Sequence, residues 1–95
     1  MNLKIKKVIQ TNTFKKYVKK LPKQHKLELD DQIKEIIKNP LIGDQKKGDL
    51  SFLYVHKCKI NKQLTLIGYT FEEDQLVLTL LQASSHENFY RDTKS

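Results

Sequence analysis

The sequence predicts an α+β domain in which an N-terminal helical hairpin packs on an antiparallel sheet, in the order β-α-α-β-β-β-α. Three observations lead there. Apolar residues in the first half recur at helical spacing. Those in the second half fall in β-branched and aromatic runs separated by short polar turns. Between the halves, "NPLIGD" supplies a proline and a glycine that stop whatever precedes them. Ninety-five residues leave room for one domain, residues 1–95, with one modest core.

Each element follows from its own stretch. "LKIKKVIQ" alternates weakly and reads as a short first strand. In "TNTFKKYVKKLP", Phe14, Tyr17, Val18 and Leu21 fall at i, i+3, i+4 and i+7, with Thr11 or Asn12 able to cap the helix. Lys15, Lys16, Lys19 and Lys20 take the opposite face. Pro22 ends this helix and suits the first turn of the next. The second helix runs to about Lys38, with Leu29, Ile33, Ile36 and Ile37 as its apolar stripe and Asp30 and Asp31 on its wet side. "DLSFLYVHKCKI" is then a strand, "NK" a turn, "QLTLIGYTFE" a second strand and "EDQ" a second turn. "LVLTLLQAS" is apolar at nearly every position and reads as the buried central strand. The final "HENFYRD" has helical spacing that lets Phe89 or Tyr90 pack back on the sheet.

Charge narrows the partners. Eighteen basic residues against eleven acidic ones give a net charge of +7. All the bases but Arg91 are lysines, and residues 1–26 contain no acid. An excess spread over consecutive segments favours a polyanionic or acidic partner, and nucleic acid, an acidic protein and a membrane surface all fit. No apolar run approaches the roughly 18–20 residues that spanning a bilayer takes. The basic N-terminus lacks the apolar segment of a signal peptide, and Cys58 is the single cysteine, so the cytoplasm is the expected compartment.

Few residues could do chemistry. His25, His56, Cys58 and His86 lack the paired spacing of a metal site, and no glycine-rich loop is present to cradle phosphate. Cys58, in mid-strand, reads as a small core residue. The alternation of "VHKCKI" puts Lys57 and Lys59 on one face of the strand, with His56, Cys58 and Ile60 on the other. Two ammonium groups about 7 Å apart could grip one phosphate or two neighbouring ones. If the helices cover one face of the sheet, the lysines occupy an open, basic one. His86 follows the last strand, and its imidazole titrates near neutrality, where it can give or take a proton. Tyr90 lies one helical turn further on.

Four stretches, "FKKYVKKL", "EIIKNPLIGDQKKGDLS", "IGYTFEEDQLVLTLL" and "SSHENFY", together with the order of elements, resemble the RelE/ParE superfamily of toxins from bacterial type II toxin–antitoxin pairs. The "KKGDL" turn and the "SHENFYRD" ending look closest to a ParE-like group. The resemblance implies a RelE/ParE-like fold and a toxin that needs no cofactor and no metal. It also implies a cognate acidic antitoxin, encoded by an adjacent gene. It divides on activity. RelE-like members are ribosome-dependent mRNA interferases that cut mRNA and stop translation; ParE-like members inhibit DNA gyrase without being enzymes. On the first reading, Lys57 and Lys59 resemble the lysine pair that contacts substrate phosphates. His86 and Tyr90 resemble a catalytic histidine and aromatic, and Arg91 would help to stabilise phosphate charge. Lys15, Lys16, Lys19, Lys20, Lys46 and Lys47 would bind nucleic acid. On the second, the lysine-rich hairpin would carry the activity. A degenerate toxin that only binds its antitoxin is a third. Leu66 stands where ribonuclease members often have an arginine, three residues before the tyrosine that matches Tyr69.

Overall fold

The helical spacing of the first half is realised as two helices. In the computed structural model, which describes residues 5–46, 48 and 53–85, α1 covers Asn12–Lys19 and α2 covers Lys23–Lys38. Thr11 is the cap of α1: its hydroxyl accepts from the Phe14 amide at 3.2 Å and donates to the Leu81 carbonyl at 2.6 Å. One side chain therefore both starts the helix and ties it to the sheet. Pro22 stands just before α2, where its missing N–H costs nothing, and its carbonyl accepts from the Lys26 amide. Asn39 ends α2 ahead of the buried Pro40.

Five strands follow the order β1-β5-β4-β3-β2 across one sheet. They are β1 (Lys7–Gln10), β2 (Asp44–Gln45), β3 (Tyr54–Ile60), β4 (Gln63–Glu72) and β5 (Val77–Ser85). The sheet is mixed rather than antiparallel throughout. β1 runs parallel to β5, with Lys7 opposite Val77, because α1 and α2 intervene and return the chain along the helix face before the sheet continues. The central strand is β4, not the last one, and its Thr65–Tyr69 segment is buried throughout because β3 and β5 flank it. β5 is interior, between β1 and β4. The expected C-terminal helix falls outside the described residues.

The helices pack on one face of this sheet. Phe14, Leu29 and Ile36 meet Cys58, Ile60, Ile67, Tyr69, Leu78, Leu80 and Ala83 in the main core. Removing that apolar surface from water, at about 25 cal/mol per Å², is what holds the two layers together. A smaller cluster of Leu53, Val55 and Leu66 gathers separately, with Leu81 packed against it. Val55 shares its strand face with Lys57, so this cluster lies on the face away from the helices. A bulge helps to build it. Gly68 pairs with Gln82 while Tyr69 pairs with Leu80, so Leu81 is the extra residue. The face expected to be open is thus basic along β3 and apolar beside it.

Candidate functional site

Lys57 and Lys59 are exposed, on the sheet face opposite Cys58 and Ile60 as the alternation requires. Each stands across from a leucine of β4: Lys57 pairs with Leu66 and Lys59 with Leu64. Leu66 is 0% exposed and Val55 is 1% exposed. The two lysines therefore stand at the border of an apolar patch formed by Val55 and Leu66. Ser84 lies across β4 from the same row, paired with Leu66. The result is a shallow face that can attract an anion and offers a hydroxyl beside it.

His86, Tyr90, Arg91 and Lys47 lie outside the described residues. Lys46 is half-buried, and its amide donates to the Leu53 carbonyl at 2.9 Å, closing the approach to β3.

The helix-facing groups of β3 are structural. His56 Nε2 lies 2.9 Å from Gln32 Oε1 of α2, and burial pulls its pKa below the ordinary 6.5 against a smaller opposing effect of Glu35. Burial pushes the Cys58 thiol up to about 11, so it stays protonated and is a poor nucleophile at neutral pH. Among the described residues, no three His, Cys, Asp or Glu side chains come together as a metal site. None of the helices there is long and apolar enough to cross a membrane.

The structure divides the four lysines of α1. Lys16 and Lys20 line a groove of about 790 Å³ between α1 and the end of the β3–β4 hairpin; Lys15 and Lys19, though exposed, are not part of it. Tyr17, His25, Asn61, Gln63 and Thr65 are among the other lining residues. Taking the four lysines as one wet face missed this. Helical spacing carries the signal, since positions 13, 16, 17 and 20 share one side of α1.

A sequence profile described as the ParE-like toxin of type II bacterial toxin–antitoxin systems matches residues 8–94. No curated protein matches the chain in sequence. Among solved structures, a doubly substituted E. coli toxin RelE in the free state is similar with a TM-score of 0.72 at 15% identity. The match covers 98% of this chain and 93% of that one. The RelBE2 toxin–antitoxin complex of Mycobacterium tuberculosis gives a TM-score of 0.71 at 15% identity, covering 84% and 96%. The intact E. coli RelBE toxin–antitoxin complex gives 0.66 at 17% identity, covering 82% and 93%. At such identities the structures speak for the fold, which is that of RelE, and the profile, spanning almost the whole sequence, speaks for the family. The chain belongs to the ParE-like toxins of type II bacterial toxin–antitoxin systems.

Proposed function

We propose that this toxin is a ribosome-dependent mRNA interferase, acting in the cytoplasm. The observation that carries the reading is the pair Lys57 and Lys59, exposed side by side at the border of a dry patch on the face that the helices leave free. Two positive charges there favour the extra negative charge that a phosphodiester gains as it is attacked. The 2′-hydroxyl would attack the adjacent phosphorus, the bond to the 5′-oxygen would break, and a cyclic phosphate and a 5′-hydroxyl would result. His86 would move the proton and Arg91 would add charge at the phosphate, while Tyr90 would orient a base. These three roles rest on the family resemblance alone. No metal enters the scheme, since the nucleophile is the substrate's own hydroxyl and the lysines supply the charge.

An acidic antitoxin from an adjacent gene is the proposed partner. A segment disordered on its own would be attracted to a +7 surface and fold on it.

One observation favours a second reading. Leu66, where ribonuclease members often carry an arginine, is fully buried in the small apolar cluster and offers no cation to a transition state. A gyrase inhibitor, or a toxin that only binds its antitoxin, needs none. Inducing the chain and following translation and DNA synthesis separately decides between them. Early loss of translation with cleaved transcripts supports the interferase. An SOS response with intact transcripts overturns it in favour of gyrase, and unimpaired growth leaves antitoxin binding alone.

A further inference from the structure

The groove between α1 and the β3–β4 hairpin lies on the helix side of the sheet, away from Lys57 and Lys59, and the proposed cleavage chemistry does not use it. Lys16 and Lys20 stand one turn apart on its helical wall, joined by His25 from the first turn of α2. The facing wall carries Asn61 and Gln63, and Ser85 stands at the end of β5. Among the described residues that line it, none is acidic. Glu28 reaches the hairpin from α2, but its Oε2 is engaged by the Asn61 amide at 3.2 Å, and it is not part of the lining.

The wall across from α1 is shaped by a tight turn. Asn61 and Lys62 both have positive φ, 52° and 64°, as a tight two-residue hairpin turn demands. Thr65 donates to the Gln63 carbonyl at 3.2 Å. Tyr17 is half-buried, and burial raises the pKa of its phenol, which therefore keeps its proton at neutral pH. The groove is thus cationic, lined by hydroxyl and amide groups, and bordered by one aromatic ring.

We infer that this groove is a binding site for the phosphate–ribose backbone of single-stranded RNA, separate from the Lys57–Lys59 face. Lysines on one wall and neutral donors and acceptors on the other suit a strand of phosphates and 2′-hydroxyls. An amphipathic peptide suits it less. Such a ligand gains affinity by seating apolar anchors, and of the groove's apolar members Ile60 and Ala83 are only 4% and 5% exposed, leaving the partly buried Leu21 and the Tyr17 ring as its apolar surface. The site deepens the interferase reading and rests on it: RNA held here would extend past the β3–β4 turn and fix how the strand meets the lysine face.

The test uses two charge-matched double variants of the same helix. K16E/K20E reverses the charges inside the groove, and K15E/K19E reverses as much charge outside it. Binding of a short fluorescent oligouridylate to the full chain is measured at several salt concentrations, and thermal melts check that both variants fold. Should either charge reversal fail to fold, the neutral pairs K16Q/K20Q and K15Q/K19Q replace them. A third variant, Gln63→Glu, puts a negative charge on the opposite wall without touching the helix. The groove pair should weaken binding about tenfold more than the outer pair and flatten the salt dependence, and Gln63→Glu should weaken it as well. Equal losses from the two pairs, or no effect of Gln63→Glu, would overturn the inference. So would oligoglutamate displacing the RNA at matched charge concentration, which would mark a site for acidic peptide. The outcomes stay separate from those of the interferase reading. Groove-specific RNA binding by a chain that leaves translation intact refutes only that reading. Translation arrest without groove-specific binding refutes only the site.

Discussion

The hydroxyl of Tyr69 donates to the Pro40 carbonyl at 2.7 Å and accepts from the Gly43 amide at 3.0 Å, while its ring stacks on Tyr54 with centroids 5.5 Å apart. It pins the chain leaving α2 against the centre of the sheet. Gly43 has no room for a side chain there, since a Cβ would come within 2.7 Å of that hydroxyl and 3.1 Å of the Val55 backbone. Replacing Tyr69 by Phe keeps the ring and strands both backbone groups, so it should cost about 1–3 kcal/mol in chemical denaturation. His56 makes a prediction of the opposite kind, visible only in acid. Its pKa in the fold lies below the ordinary 6.5, so the unfolded chain binds the proton more readily. The stability tied to this group is complete above about 6.5 and declines as pH falls from there toward the folded value. His56→Gln should remove that part of the acid sensitivity, measured as denaturation midpoints about one unit above and below 6.5. Cys58 was legible as a core residue from its place in the strand. The role of Tyr69 was not, because its partners lie 26 and 29 positions away in a loop without periodicity.

Most elements could be placed from pattern alone. Leu29, Ile33, Ile36 and Ile37 all pack on the core as their spacing implied, and β4 occupies the Gln63–Glu72 stretch read as a strand between two turns. What pattern could not give was pairing. The weak alternation of the first segment identifies a strand but contains nothing that names β5 as its parallel neighbour. Apolar content misled about the centre of the sheet: β5 is the more uniformly apolar strand, yet it is β4 that lies in the middle, flanked by β3 and β5 over Thr65–Tyr69. The two-residue β2 is too short to leave any signature. The hairpin turn offers a test at this scale. Lys62 sits at a φ of 64°, where a residue with a Cβ is strained by roughly 1 kcal/mol and glycine is not. Lys62→Gly should therefore raise the denaturation midpoint by a corresponding amount, and an unchanged or lowered midpoint would mean the lysine side chain itself stabilises the turn.

Across the whole molecule, charge is sorted by element. The bases dominate β1, α1 and β3, while the acids gather on α2 and around the β4–β5 turn. Strand alternation made the Lys57–Lys59 pair readable, because period two holds in any regular strand. The small apolar cluster beside it escaped notice, since it depends on the bulge at Leu81 and on where Leu53 enters the sheet. The interferase reading makes a specific demand on this face. Replacing Lys57 and Lys59 together by alanine should abolish growth arrest and leave the melting curve within about 0.5 kcal/mol of the parent, because exposed strand lysines add little to stability. A double variant that folds and still arrests growth places the activity elsewhere.

The Thr11 tether joins residues 70 positions apart, and the parallel pairing of β1 with β5 spans a similar interval. That distance dictates an order of assembly. During synthesis β1 and α1 emerge early, but the strand that receives them does not exist until residues 77–80 have been made. The hairpin of β3 and β4, closed by two residues, can form well before. Docking of β1 and α1 must then close a long loop, a slow event that follows the local ones. A polypeptide interrupted before residue 77 would hold its lysine strand in a hairpin but leave Lys7–Gln10 without a seat, and so could not complete the fold that the toxin requires.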